Sequence, residues 1–363
     1  MSGESKNVLK VASIYITTIV GAGFASGQEI VRFFTSYYKG GFYGVLTAGI
    51  LFAVLGYMVL DKVYKERIKN YDEFLFPTVG WLLGWVMEVV VIMFMLSVFC
   101  IMIAGLGSIL SDKLNISFSL SVIIMTFICM ILMLTDIKGV VALSTMVTPI
   151  LITGIIGVGF YVIVFKDTAV FNVSGYFKNI TDNWFFSALL YVSYNSIMSI
   201  VVMCSLLPYL KTRKTAIMGG IIGGLALCAI AFILNAAIFI FYPEVGLEEF
   251  PVLGIVEKYS RHLSNFYTFI LWLAMFTSAV TSGYCFVDRI RSRLSLNSKL
   301  ITVAACALVV PMSGFGFSNL ISAIYPVFGY IGLFIVFTVL IQGINANRIS
   351  MPKRNVYTQR KNK

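Results

Sequence analysis

The stretch Thr17–Glu29, "TTIVGAGFASGQE", is the most informative part of this sequence for the fold. It lies inside an apolar run long enough to cross a bilayer, yet it contains three glycines, a serine, a glutamine and a glutamate. Gly costs about 1 kcal/mol relative to Ala inside a helix. Broken backbone at membrane depth is tolerated only where it is buried in protein or lines a cavity. The stretch therefore predicts an interrupted helix whose polar residues belong to a binding site.

The composition of the whole chain is that of an integral membrane protein. Of the 363 residues, 59% are hydrophobic and 12% are charged, whereas soluble domains carry roughly 25% charged residues. The net charge of +11 comes from short basic clusters between apolar runs, which are typical orientation signals and unlike the basic face of a nucleic-acid-binding protein. The six cysteines show no CxxC spacing, and the single histidine cannot build a zinc site alone. We therefore expect the lipid bilayer as a partner, no nucleic acid and no cofactor.

Apolar runs of about 20 residues predict ten spanning helices. Their approximate bounds are 8–36, 41–62, 80–110, 117–135, 139–166, 183–208, 214–242, 265–288, 298–313 and 318–344. A cytoplasmic N-terminus places most Lys and Arg residues on the inner side, in agreement with the positive-inside rule. We therefore expect a multi-pass protein of the cell membrane with both termini cytoplasmic. The basic tail over 345–363 either lies on anionic lipid or is disordered.

Two pairs of fragments recur in the same order along the chain. "KGGFYGVLTAGILF" (Lys39–Phe52) opens the second span and "MGGIIGGLALCAIAF" (Met218–Phe232) opens the seventh. "YDEFLFPTVG" (Tyr71–Gly80) and "LEEFPVLGIVEK" (Leu247–Lys258) are the links that follow them. Because five spans separate the copies, the second copy is upside down. An inverted repeat of five plus five helices is an architecture of secondary transporters, which bind their substrate near the midplane.

The predicted fold is therefore all-α, with ten transmembrane helices in a five-plus-five inverted repeat. Helices one and six, the first of each repeat, are expected to be broken at mid-membrane. We predict one transmembrane transporter domain over 1–363, with repeat one at about 8–166 and repeat two at about 183–344.

The glycines of the opening stretch are also explained by close packing of helices through small residues. Ser26, Gln28 and Glu29 favour a site, because an ionisable residue inside a membrane is a functional candidate by default. The outer half-helix would offer free N–H groups and a positive dipole end to an anionic group.

Two later spans carry further polar residues. In the sixth, "LLYVSYNSIMS" contains Ser193, Tyr194 and Asn195, which either line a site, with Tyr191 or Tyr194 as a wall, or only make interhelical hydrogen bonds. In the eighth, "AMFTSAVTSGYCF" carries hydroxyl groups that suit a small alkali cation, although Ser and Thr also bond to their own helix carbonyls. These hydroxyl residues are Thr277, Ser278, Thr281 and Ser282. Candidate apolar lining residues are Phe24, Phe99 and Phe276.

Together these residues resemble the LeuT-fold transporters of the amino acid–polyamine–organocation grouping. More narrowly, "GAGFASGQE" resembles the YkvI-type membrane proteins of bacteria, a family of predicted amino acid permeases, and the resemblance covers essentially the whole chain. It implies a solute between broken helices one and six, with a carboxylate bound by the backbone amides of Gly21, Ala22 and Gly23.

The resemblance also bears on the coupling ion. In sodium-coupled members a cation lies between helix-one carbonyls and a Thr–Ser pair on helix eight. This implies a sodium site formed by Thr17, Val20, Ser278, Thr281 and Ser282. The fifth span lacks the lysine that replaces the cation in some proton-coupled relatives, which favours sodium. Glu29 departs from the sodium pattern and leaves a proton-coupled permease as an alternative. Gln28 and Arg32 are further coupling or gating candidates. Arg32 either gates the outer side or pairs with Glu29.

The predicted function is secondary active transport, with sodium-coupled symport of an amino acid or similar small zwitterion by alternating access. A membrane-embedded enzyme needs paired carboxylates, a metal-binding set or a nucleophile and base within the spans. Only Glu29 and Glu88 are acidic near membrane depth, so we predict that the chain is not an enzyme. A non-transporting sensor or channel on the same fold is the other alternative.

Overall fold

The computed structural model describes residues 3–134, 138–165, 181–294 and 297–346. Within these ranges all long elements are helices, as the sequence predicts. They are α1 (Gly3–Ile19), α4 (Lys39–Glu66), α6 (Trp81–Leu114), α7 (Phe118–Met133), α8 (Lys138–Phe165), α9 (Trp184–Cys204), α10 (Arg213–Val245), α12 (Arg261–Leu294), α13 (Ser298–Ser313) and α14 (Phe317–Ala346). The short helices are α2 (Ala22–Ser26), α3 (Gln28–Phe33), α5 (Tyr71–Val79) and α11 (Pro251–Glu257). Beyond residue 346, the predicted basic tail lies outside the described residues.

Six described helices are long and apolar enough to cross a membrane: α4, α6, α9, α10, α12 and α14. Phe118–Met133, Pro149–Tyr161 and Ser298–Ser313 are shorter apolar segments. Large apolar side chains on the outside of the bundle are more than half exposed, among them Trp81, Leu82, Phe160, Phe269 and Phe337. Such a surface suits lipid, and the prediction of a multi-pass membrane protein is confirmed. The count of ten spans and the five-plus-five repeat stay predictions.

The recurring Gly-Gly fragments open α4 and α10, and these two helices pack along each other. A Cβ atom added to Gly220 would lie 2.3 Å from the carbonyl carbon of Gly56, so the two backbones touch there. Small residues are what such close helix contacts in membranes require. These glycines therefore serve helix packing.

The first predicted span is interrupted twice. Helix α1 ends at Ile19, and Gly21 has an extended backbone before α2 begins. Gly27 then adopts φ +85° between α2 and α3, a left-handed conformation that favours glycine. The interruption predicted for Thr17–Glu29 is present.

The prediction that helix six is broken is wrong. Helix α9 runs without interruption from Trp184 to Cys204, and it contains neither Gly nor Pro. Two serines of its polar motif bond to the carbonyl groups one turn earlier: Ser193 Oγ to Leu189 at 2.6 Å and Ser196 Oγ to Val192 at 2.6 Å. Because these two hydroxyl groups bond within the helix, they do not require the backbone to open.

Candidate functional site

Glu29 is the ionisable group at the break. From the first turn of α3 its side chain folds back past Gly27 and lies against Gly23, where an added Cβ atom would be 2.3 Å from Oε1. The hydroxyl of Tyr194 in α9 donates a hydrogen bond of 2.6 Å to Oε2. Glu29 is 4% exposed and Tyr194 is 2% exposed. The fold thus brings together three of the predicted site residues at a place closed to solvent.

Aromatic rings surround Tyr194 at this place. Its ring centroid lies 4.5 Å from that of Tyr325, 5.4 Å from Phe33, 5.5 Å from Tyr191 and 6.4 Å from Phe94. The Tyr191 hydroxyl is buried and has no hydrogen-bond partner among the described residues. Sequence reasoning missed Tyr325 in α14 and Phe94 in α6, because aromatic residues are frequent throughout the apolar runs, with 19 Tyr and 30 Phe in the chain.

Ser26 shapes the turn that lets Glu29 reach back. Its hydroxyl donates to the Gly23 carbonyl at 2.8 Å and accepts from the backbone N–H of Gln28 at 3.2 Å. On the same short helix, the Ala25 carbonyl accepts a 2.8 Å hydrogen bond from the Tyr267 hydroxyl in α12. Phe24 lines a small apolar cavity whose wall also includes Tyr191. Ser26 therefore positions the site residues through the backbone.

Gln28 and Arg32 point away from Glu29. The side-chain amide of Gln28 donates through Nε2 to the Ser318 hydroxyl in α14, and Arg32 Nη2 donates to the same oxygen at 3.1 Å. Arg32 Nε has no partner among the described residues, and no ion pair between Arg32 and Glu29 occurs there. The ion pair with Glu29 is therefore not formed here, and the gating role of Arg32 stays a prediction.

Three further solute-binding candidates, Ser193, Asn195 and Phe276, make contacts within their own helices. Ser193 Oγ donates to the Leu189 carbonyl, and Asn195 Nδ2 donates to the Tyr191 carbonyl at 3.0 Å. Phe276 stacks on Trp272 with ring centroids 5.3 Å apart. These side chains retain a binding role only as a proposal.

The candidate sodium ligands lie at the end of α1 and on α12. In the described part of the chain, the carbonyl groups of Thr17 and Val20 accept no backbone hydrogen bond, because α1 ends there. On α12, Ser282 Oγ donates to the Ser278 carbonyl at 2.7 Å. A helix turns by roughly 100° per residue, so Ser278, Thr281 and Ser282 lie within about 60° of the face of Tyr267, which contacts α2. Among the described residues, no group of three His, Cys, Asp or Glu side chains could hold a metal ion.

Glu88, the other acidic residue near membrane depth, has a different environment. Its carboxylate accepts hydrogen bonds from Arg289 Nη2 at 2.6 Å and Arg293 Nε at 3.2 Å, and both arginines also pair with Asp72. This network joins the start of α6 to the end of α12 and to α5. Glu88 is therefore a paired, structural charge, whereas Glu29 has no basic partner in the described ion pairs.

Comparison with known proteins finds two relatives that match nearly end to end. The chain is 29% identical over 342 residues to the uncharacterized membrane protein YkvI of Bacillus subtilis strain 168, covering 92% of this chain and 95% of the relative. It is 25% identical over 340 residues to the uncharacterized protein YyaD of the same organism, covering 93% and 97%. No family model matches the chain. The two relatives confirm the resemblance to YkvI-type membrane proteins.

Solved transporter structures share the fold. Mhp1, a nucleobase-cation-symport-1 family transporter, matches with a TM-score of 0.62 at 11% identity, covering 91% of this chain and 74% of that one. The manganese transporter of Eremococcus coleocola gives 0.60 at 12%, covering 97% and 90%. A sodium-coupled sialic acid symporter gives 0.57 at 14%, covering 93% and 79%. At this identity the likeness is one of fold, and the cargoes of these neighbours differ; none of the proteins compared is named as an enzyme.

Proposed function

We propose that the chain is a secondary active transporter that moves a small amino-acid-like solute across the cell membrane by alternating access, with both termini in the cytoplasm. The observation that carries this proposal is the doubly interrupted first helix, at which a buried carboxyl group meets aromatic side chains. Transporter folds form their substrate sites at such discontinuous helices. The likeness to transporters of known structure supports the same reading.

Sodium is the first candidate for the coupling ion. The unpaired carbonyl groups of Thr17 and Val20 lie at the C-terminal end of α1, where the helix dipole attracts a cation. The hydroxyl groups of α12 share a face with Tyr267, which binds Ala25 of the same broken helix, and they lie about 17–22 Å further along the α12 axis. Hydroxyl and carbonyl oxygens are hard ligands that suit an alkali cation.

Proton coupling is the second candidate, and a specific observation favours it. Glu29 is buried beside the break, and no basic side chain within the described ranges pairs with it, which is the setting expected of a group that takes up and releases a proton. Proton relays in membrane transporters are built on such intramembrane carboxyl groups.

The test is uptake of radiolabelled amino acids by proteoliposomes that contain the purified full-length chain. We expect accumulation that requires an imposed sodium gradient or an imposed pH gradient, and the two are applied separately to identify the ion. Passive ion current in the absence of solute accumulation would instead identify a channel. Solute binding without movement under either gradient would identify a sensor, and would refute the transport proposal.

A further inference from the structure

We propose that Glu29 and the tyrosines around it bind the ammonium group of the solute, and that a proton occupies the same carboxyl group when the solute is absent. This inference rests on the proposed transport function. It specifies the chemical class of the cargo as a small organic molecule with a protonated amino group.

The first argument is the balance of charge at the break. Glu29 is 4% exposed, and among the described residues its carboxyl group accepts one hydrogen bond, of 2.6 Å from the Tyr194 hydroxyl. Burying a carboxylate without a compensating charge is costly. Glu88 in the same protein meets that cost with two arginines. Glu29 has no basic side chain in the described ion pairs, so its site is complete only with a proton or with a cation from outside.

The side chains that face Glu29 supply no such charge. Helix α9 contributes Tyr194, which bonds to the carboxyl group, and Tyr191 of α9 and Tyr325 of α14 pack their rings against that of Tyr194. Tyrosine is neutral near pH 7. On α3 itself, Arg32 is directed to Ser318. Helix α2 carries no titratable residue, and Tyr242 of α10 packs its ring against Tyr38.

The second argument is the set of groups that would receive an ammonium ion. An ammonium group has three N–H donors, and the two Glu29 oxygens and the unpartnered Tyr191 hydroxyl are acceptors on one side of α9. The aromatic rings around Tyr194 also attract organic cations through their faces. Because the Glu29 carboxyl already lies against Gly23, a negatively charged carboxylate of the solute would meet a like charge there.

Binding is then an exchange of one cation for another. The protonated carboxyl of Glu29 gives up its proton to water on the open side, and the resulting carboxylate pairs with the ammonium group of the solute. One proton leaves for each ammonium group bound, and the net charge of the site stays the same. A falling pH therefore weakens ammonium binding by competition.

The experiment compares matched compounds that differ in their charged groups, with the purified full-length protein as receptor. Each set contains an amino acid, its decarboxylated amine and its deaminated acid; leucine, isoamylamine and isocaproate form one set, and phenylalanine, phenethylamine and phenylpropionate form another. Thermal stabilisation is titrated at about pH 6 and about pH 8, a range in which alkylamines stay protonated. We expect compounds with an ammonium group to bind and the deaminated acids not to bind. We expect the apparent affinity to rise by up to about tenfold per pH unit toward pH 8.

Three variants assign the effect to the site. Glu29→Gln should lower the affinity for the amines by about tenfold or more and remove its pH dependence, since the negative charge is lost. Tyr194→Phe removes one hydroxyl and should weaken binding while keeping the pH dependence. Tyr15→Phe is the matched control, because its buried hydroxyl binds the Phe52 carbonyl instead of Glu29; it should bind as the wild type does.

Equal binding of the deaminated acids, unchanged affinity in Glu29→Gln, or a panel without any stabilising amine would each overturn the ammonium site. These outcomes are separate from the uptake test. Accumulation of a deaminated acid would support the transport function and refute the ammonium site. Binding of amines that depends on pH, without any accumulation, would support the ammonium site and refute the transport function.

Discussion

Replacement of Gly23 by Ala tests whether the carboxyl group of Glu29 is held at the break. The new Cβ atom would lie 2.3 Å from Oε1 and 3.2 Å from Cδ, while ordinary contacts begin near 3.4 Å. The Glu29 carboxyl must therefore move by about 1 Å, which stretches its 2.6 Å hydrogen bond with Tyr194 beyond the normal range. The Tyr194 hydroxyl and the Glu29 carboxyl are both buried, and leaving such a group without its partner costs about 1–3 kcal/mol, while the gain in helix propensity returns at most about 1 kcal/mol. We expect a net loss of about 1–2 kcal/mol, or roughly 5- to 30-fold in the unfolding equilibrium.

The assay is a double-mutant cycle by thermal unfolding of the purified protein in detergent. In a Glu29→Ala background the clash is absent, so Gly23→Ala should become neutral or stabilising by up to about 1 kcal/mol. Gly21→Ala is the matched control at the same break, because a Cβ atom there meets nothing within 4 Å and its backbone is extended. Equal effects of Gly23→Ala in both backgrounds would refute the contact between Glu29 and Gly23 and the argument built on it.

Three further predictions address other parts of the molecule. The double substitution of Thr281 and Ser282 by Ala should abolish sodium stimulation of uptake while the protein stays folded; unchanged sodium dependence would remove the cation assignment. Glu88→Gln should cost about 3–5 kcal/mol, as expected when one partner of a buried ion pair is removed, with a lower melting temperature and unchanged solute affinity; an unchanged melting temperature would contradict a structural role. Ser318→Ala removes the hydroxyl oxygen to which Gln28 and Arg32 both donate. If these contacts form a gate, a cysteine introduced at Tyr325 should be labelled faster by a cysteine-reactive probe, and an unchanged labelling rate would argue against the gate.

Several site residues follow from local sequence. Gly21 and Gly27 interrupt the helix where the sequence predicts it, because glycine is the residue that best tolerates helix ends and positive φ. The same reasoning fails for helix six: "VSYNS" is as polar as the opening stretch, yet Ser193 and Ser196 bond to their own helix and the backbone stays intact. Polar residues in a span indicate an interrupted helix only when the span also contains a residue, such as glycine, at which the helix can end.

The sequence did not predict which side chains from different helices pair with each other. Arg32 lies three residues after Glu29 on one helix, a spacing that permits an ion pair. The fold instead brings Ser318 to Arg32 and Tyr194 to Glu29, from positions 286 and 165 residues away along the chain. Tyr325 and Phe94 reach the same place from helices with no distinguishing motif.

The amino-acid sequence by itself determined that this is a multi-pass helical membrane protein with an interruption in its first span. Hydrophobic run length and glycine positions are local properties, and lipid allows few ways to satisfy them. Only the tertiary structure decided that Glu29 lies among tyrosines, with no basic partner in the described part of the chain, while Glu88 pairs with two arginines. The physical reason is that the environment of a buried charge depends on which helices pack around it, and residues of α9, α12 and α14 meet the first half of the chain only when the bundle has formed.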